Sequence, residues 1–311
     1  MTIAILSHPD CELHNIPGHP EQPARVKVIE QALKQYPFKT PVKFVKANRA
    51  TREQLIGAHT ENHVDWIFSI SPKSGEIEID ADTHMTPFTL NAALHAAGAV
   101  TQAVDMVMDG QVNAAFCNVR PPGHHAEADK AMGFCIFNNV AVGVKHAINQ
   151  YQLERIAIID FDVHHGNGTQ NIFQMNKKVM LCSSFQHPFY PGYESEMDNE
   201  HILSVPLAAG TNGDEYREKV KAAWFDKLDA FQPQFIFFSA GFDAHTNDPL
   251  ANINLTKADY VWLTEEIAKL ANKHCNGKIV SALEGGYDLK ALAESVPAHV
   301  DSLKGPTFMQ R

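Results

Sequence analysis

Residues 120–139 read RPPGHHAEADKAMGFCIFNN, with His124 and His125 adjacent behind two prolines and a glycine. Neighbouring side chains point to opposite faces of a strand and diverge by about 100° on a helix, so regular structure would not aim both imidazoles at one target. An irregular turn can, and Pro-Pro-Gly favours one. Further on, IDFDVHHGNG sets Asp160, Asp162 and His164 at period two. An extended segment would send all three to one side, making Asp162 and His164 a two-ligand arm for a divalent metal. A lone DxH is equally well a helix cap, but GFD at Asp243 offers a third ligand from another strand end. Two carboxylates and an imidazole leave positions open for water and substrate, as catalytic zinc requires, and the same set could hold Fe²⁺. Beside such a metal His124 and His125 would serve as unligated bases; alone, the pair reads as a hydrogen-bonded turn. Tyr287, behind two glycines, could donate to an oxyanion; alone, it reads as packing.

Elements that position these residues follow from the apolar pattern. Short β-branched or aromatic runs at 2–6, 113–117, 155–160, 179–183, 235–240 and 278–285 alternate with amphipathic stretches at 24–36, 87–109, 138–150, 213–230, 257–273 and 289–303. This alternation predicts an α/β fold with a mostly parallel sheet. Thr86 and Pro87 suit an N-cap and first helical position, and Gly110 suits the residue after a helix. Nothing resembling a linker or repeat interrupts the pattern, so one domain spanning 1–311 is expected. The polar segments follow strands: NAAFC runs into RPPGHH, RIAIID into FDVHHGNGTQ, FIFFSA into GFDAHTNDPL, and KIVSALE into GGYDL. Loops at the carboxyl ends of parallel strands converge, which predicts one shared site.

Composition narrows the function classes. The 311 residues include 44% hydrophobic and 20% charged side chains, enough for a substantial core. A formal charge of −10 disfavours nucleic acid as a partner and permits a cationic one, ordinary solubility being the plainer reading. Cys11, Cys117, Cys135, Cys182 and Cys275 form no CxxC pair, which disfavours a disulfide framework or Cys-zinc site and fits a reducing compartment. With no signal-like N-terminus and no apolar run approaching about 18 residues, a cytoplasmic protein without a membrane partner is expected.

RPPGHHA, GFCIFNNVA, DFDVHHGNGTQ, SAGFDAHTNDPL and EGGY, in this order and over nearly the whole chain, resemble the zinc-dependent histone deacetylase superfamily, nearest its class II branch and bacterial homologues. The resemblance implies an arginase/deacetylase-like three-layer α/β/α fold around a sheet of about eight strands. It implies one Zn²⁺ on Asp162, His164 and Asp243, with Asp160 supporting His124 and Asn167 supporting His125. His125 would be the general base and later acid, His124 its electrostatic partner and Tyr287 the oxyanion donor in amide hydrolysis by a metal-activated water. Asn167 in place of the class I Asp should leave His125 less basic.

Phe134 and Tyr190 would wall a tunnel for the acyl-lysine methylenes, Tyr190 departing from the family's usual Phe, and the Gly133 carbonyl would accept the amide N–H. A structural K⁺ site would draw on Asp160, Asp162, His164 and Ser183, and Arg25 matches the arginine of the acetate exit path, a plain helix-start arginine being the alternative. Leu250 occupies the place of a Glu gatekeeper in polyamine-specific members, which favours acetyl-lysine in a protein or peptide over a small acetylated amine. His165 and Asn167 replace the extra aspartates of a binuclear arginase-type centre, so a single metal is expected there. His59, His63, His84, His95 and His187 are read as surface or structural, with His187 near the rim. Oligomeric state does not follow from the sequence.

Overall fold

The computed structural model describes residues 2–192 and 198–305. In chain order its elements are β1 (Ile3–Ser7), α1 (Asp10–Leu13), α2 (Ala24–Gln35), β2 (Val42–Lys46), α3 (Arg52–Ile56), α4 (Glu61–Ile70), the small hairpin β3 (Ile77–Glu78) and β4 (His84–Met85), α5 (Thr89–Met108), β5 (Ala114–Cys117), α6 (Asn139–Tyr151), β6 (Ile156–Asp160), α7 (Asn167–Phe173), β7 (Val179–Gln186), β8 (Ile202–Leu207), α8 (Gly213–Val220), α9 (Asp226–Phe231), β9 (Phe235–Ala240), α10 (Lys257–Cys275), β10 (Ile279–Leu283) and α11 (Leu289–Ser302). The central sheet has eight strands in the order β2-β1-β5-β10-β9-β6-β7-β8, every neighbouring pair parallel.

Alternation along the strands splits the core into two layers. Ala4 and Leu6 of β1 and Val280 and Ala282 of β10 pack towards α5 and α6. Ile3 and Ile5, with Ile279 and Leu283, pack towards α2, α10 and α11. The result is the three-layer α/β/α architecture expected from the sequence.

Each of the six anticipated strands is present, and the differences have local causes. β2 is an edge strand whose VKFVK leaves Lys43 and Phe44 exposed, and β8, at the other edge, contains Pro206. Proline lacks the N–H that an interior strand would need, so such a run reads poorly as a strand in isolation. Thr86 and Pro87 do not start α5: its N-cap is Phe88, and Thr86 closes the preceding turn through its backbone N–H, which donates to Thr89 Oγ1 at 2.8 Å. Gly110 does follow the helix, at φ 70°. The stretch expected as one helix over 213–230 carries a π-turn at Lys221–Phe225, where Trp224 buries its ring and donates Nε1–H to the Leu203 carbonyl of β8 at 3.1 Å.

Candidate active site

β5, β10, β9 and β6 are consecutive in the middle of the sheet, so the four motif-bearing loops leave neighbouring carboxyl ends and meet. Asp160 is the last residue of β6, while Asp162 and His164 lie beyond it in irregular backbone. Their convergence therefore comes from the loop and not from the extended segment that period-two spacing suggested. The loop is pinned by its own carboxylates, with Asp160 Oδ1 accepting from Asp162 N at 3.1 Å and Asp162 Oδ1 from His164 N at 2.8 Å, and by Asp243 from the loop after β9, whose Oδ1 accepts from Val163 N at 2.9 Å.

The remaining donor atoms face one another. Asp162, His164 and Asp243 form a group whose ligand atoms lie within 4.8 Å of one another. His164 Nδ1 stands 3.1 Å from Asp162 Oδ1 and 3.3 Å from Asp243 Oδ2. Asp243 Oδ2 is buried and receives no hydrogen bond. Although burial opposes it, the two carboxylates hold the His164 imidazole up to about 10, the signature of a centre poor in positive charge. Buried carboxylates with an orphaned oxygen, open to one imidazole, suit a divalent cation. Phe189 stacks on His164 with ring centroids 5.3 Å apart.

His124 and His125 lie side by side, ring centroids 4.0 Å apart, both buried. His124 Nδ1 meets Asp160 Oδ2 at 3.1 Å and its Nε2 lies 3.7 Å from Asp162 Oδ1. Burial disfavours its charge, but Asp162 and Asp160 overcome that and raise it well above the usual imidazole range. His125 Nδ1 meets Asn167 Oδ1 at 2.8 Å. An amide oxygen only accepts, so this nitrogen carries the proton and Nε2 presents a lone pair. Burial, then the charges of His124 and His164, push His125 well below the usual value. The adjacent imidazoles are thus driven in opposite directions.

Tyr287 is buried at the same centre, its phenol raised by burial and, against the opposing charge of Arg25, by Asp243. Arg25, fully buried, lies 5.0 Å from the Tyr287 ring centroid. It donates Nε to the Gly286 carbonyl at 2.6 Å and Nη2 to the Glu284 carbonyl at 2.5 Å. Arg25 is the second residue of α2 and its guanidinium reaches under the tyrosine.

Other groups of the site were not singled out from the sequence. Glu284 Oε2 accepts from the backbone of Gly123 at 2.6 Å and His124 at 3.1 Å, tying the histidine turn to the end of β10. Asp248 Oδ2 accepts from Tyr287 N at 2.7 Å. Burial lifts both carboxyls to about 7, Asp243 adding to the shift of Asp248. Glu21 joins Arg25 to the buried Arg120, and Arg120 and Arg25 pull its carboxyl down to about 2 against its burial. Glu284 belongs to the EGGY motif and Asp248 to SAGFDAHTNDPL, which could have flagged them; Glu21 reveals itself only through its partners.

A pocket of about 110 Å³ opens onto this centre, lined by His124, His125, His164 and Tyr287 together with Asp82, Pro122, Gly133, Phe134, Tyr190, Leu250 and Gly285. Each expected tunnel residue is therefore at the pocket. Tyr190, 38% exposed, stands edge-on to His125 at 5.3 Å. Phe134, at φ 69°, has its N–H held by Thr83 Oγ1 at 3.1 Å, and Gly133 donates to Asp82 Oδ1 at 3.1 Å. The Gly133 carbonyl accepts from the Cys135 thiol at 3.2 Å. His187 does not line the pocket; it is exposed and its N–H donates to the Leu207 carbonyl. Ser183 sits opposite Asp160 in the β6–β7 register, its hydroxyl buried without a hydrogen-bond partner. No helix among the described residues is long and apolar enough to cross a membrane.

Residues 19–303 match the histone deacetylase domain. A probable deacetylase of Archaeoglobus fulgidus is 35% identical over 93% of this chain and 82% of its own, and the chloroplastic histone deacetylase 14 of Arabidopsis thaliana is 36% identical over 94% and 74%. The crystal structure of the HDA15 HD domain superposes with a TM-score of 0.88 at 32% identity, covering 98% of this chain and 90% of that one. The chain belongs to the histone deacetylase family and is a deacetylase with that family's fold.

Proposed function

We propose that the chain is a single catalytic domain that removes the acetyl group from lysine side chains of proteins or peptides, with one zinc ion held by Asp162, His164 and Asp243. The observation that carries this reading is the convergence of that buried group with His124, His125 and Tyr287 on one narrow pocket. Fe²⁺ suits the same oxygen-rich set. The ion, when bound, supplies Lewis acidity and an activated water.

The side chains supply the rest. His125, with its Nδ1–H fixed by Asn167, offers Nε2 to take the water proton and later return it to the leaving amine. His124, held by Asp160, contributes positive charge beside the reacting centre. Tyr287 donates its phenolic O–H to the developing oxyanion, Arg25 and Asp248 holding the backbone around it. Phe134 and Tyr190 exclude water from the substrate's methylenes, and the Gly133 carbonyl has a lone pair free for the amide N–H. K⁺ at the Asp160 loop would be held by Asp160, Asp162, His164 and Ser183, the orphaned Ser183 hydroxyl supporting such an ion. The five buried, unpaired cysteines support a reducing, cytoplasmic setting.

A small cationic acetylamine is the second reading, because the Asp82 carboxylate also lines the pocket; the apolar Leu250 at the same pocket favours lysine. Chelator-stripped protein reloaded with Zn²⁺ tests both on a fluorogenic acetyl-lysine peptide and on N-acetylputrescine. Zinc-dependent turnover of the peptide supports the first reading, turnover of the amine alone the second, and turnover of neither would sink both.

A further inference from the structure

We propose a second divalent-metal site, independent of the deacetylase centre, built by His8, Asp10 and His95. The three offer ligand atoms within 4.8 Å of one another, and none of them lines the pocket described above. His8 follows β1 directly, Asp10 opens α1, and His95 projects from α5, so the cluster joins segments far apart in sequence.

The geometry is that of a chelate. The Asp10 carboxylate turns one oxygen to each ring: Oδ1 lies 3.5 Å from His8 Nδ1 and Oδ2 lies 3.5 Å from His95 Nε2. Tetrahedral zinc with bonds near 2.1 Å has ligand edges of about 3.4 Å, close to the separation at which each nitrogen already stands from one of the two carboxylate oxygens. His95 Nδ1 lies 3.1 Å from the Ala47 carbonyl. A carbonyl only accepts, so Nδ1 carries the proton and Nε2 presents its lone pair to Asp10, an orientation that metal-binding histidines share. The His8 and His95 rings stack at 3.4 Å with 6° between planes, an arrangement that strongly opposes protonation of both. Burial and the charge of His95 depress His8, with Lys46 adding to this; burial depresses His95, with Arg49 adding and Asp10 opposing in both cases.

Two features set the affinity below that of a structural zinc. Lys46 and Arg49 repel a cation, and the Asp10 backbone N–H, which donates to His8 Nδ1 at 3.1 Å, must yield the lone pair that the metal takes. Occupancy would brace α1, whose Cys11 carbonyl, with that of His14 just beyond it, accepts from Arg120 at 2.8 and 2.7 Å. Arg120 in turn grips Glu21, which holds Arg25 beneath Tyr287.

The 311-residue protein, stripped with chelator, is titrated with Zn²⁺ while bound metal and thermal unfolding are followed. Wild type should bind about two equivalents. Asp243→Asn should retain the weaker, and His95→Ala and the near-isosteric Asp10→Asn the tighter. Filling the weaker site should raise the melting temperature by roughly 3–6 °C at about 100-fold excess over its Kd, in Asp243→Asn but not in Asp10→Asn. Absence of Zn²⁺ binding in natively folded Asp243→Asn, or an unchanged second equivalent in natively folded Asp10→Asn, would overturn the proposal; a single wild-type equivalent that is kept in Asp243→Asn and lost in Asp10→Asn would touch only the deacetylase centre.

Discussion

Gly285 donates its backbone N–H to Oδ2 of Asp162 across 2.8 Å, so close that a Cβ on this glycine would lie 2.6 Å from that same oxygen and 2.0 Å from Oδ2 of Asp243. The main chain after β10 thus fills the space behind both carboxylates. Gly285→Ala must push them apart although it removes no ligand. The expected outcome is a folded protein whose Zn²⁺ affinity falls by ~10–100-fold or more, checked by competition with a chromophoric chelator. Unchanged affinity would show that the loop can retreat.

Tyr287→Phe removes one O–H and little else, because Arg25 and Asp248 grip the neighbouring backbone and not the phenol. Loss of one oxyanion donor should lower kcat by ~10²–10³ with KM nearly constant. His125→Ala removes the base and should cost ~10²–10⁴. Steady-state kinetics on an acetyl-lysine peptide check both; a Tyr287→Phe effect confined to KM would assign the phenol to binding.

Asn167→Asp places a carboxylate where His125 meets an amide at 2.8 Å. Burial and the charges of His124 and His164 depress His125 in the wild type, so its active neutral form survives to a pH below the ordinary imidazole value. A carboxylate stabilises the imidazolium and raises that pKa. The acid limb of kcat/KM should therefore move to higher pH in the variant, and a limb that stays put would separate it from His125.

Much of this site was legible because its residues come in fixed local strings behind apolar runs. The turn at His124 and His125, the DxDxH segment and Asp243 each announce a donor type, and their shared position after strands implies that they meet. What stayed hidden depends on contacts between distant segments. Asp248 sits in the NDPL string, but its role shows only once the chain folds it onto the Tyr287 amide, and Glu21 matters only because Arg25 and Arg120 close on it. His95 looks like a histidine on a buried helix, which it is; the stack with His8 arises from the packing of α5 against the end of β1. Edge strands escaped for a different reason: VKFVK and ILSVPL, with their lysines and proline, carry the features that protect an exposed edge and so mask a strand.

Acid stability should follow the buried histidines outside the site. His299 is fully buried, with Nδ1 2.7 Å from Thr264 Oγ1 and Nε2 2.9 Å from Ser281 Oγ, among the rings of Phe116, Phe161, Phe238 and Phe242. Burial pushes its imidazole down to about 3, whereas in the unfolded chain it titrates near 6.5. Below that pH the unfolded state binds the extra proton, so the stabilisation is complete above about 6.5 and is lost progressively as the pH falls towards 3. His59, also at about 3, and His14, at about 4, act in the same direction, burial being the main cause for each. Between pH 7 and pH 5 in urea unfolding, His299 should contribute a loss of ~2 kcal/mol, while Glu284 and Asp248, raised to about 7, act in the opposite direction. His299→Gln lowers stability at both values by losing packing, but its loss between them should be smaller than that of wild type by about this amount. An identical pH dependence in the two proteins would mean that His299 takes up its proton without unfolding.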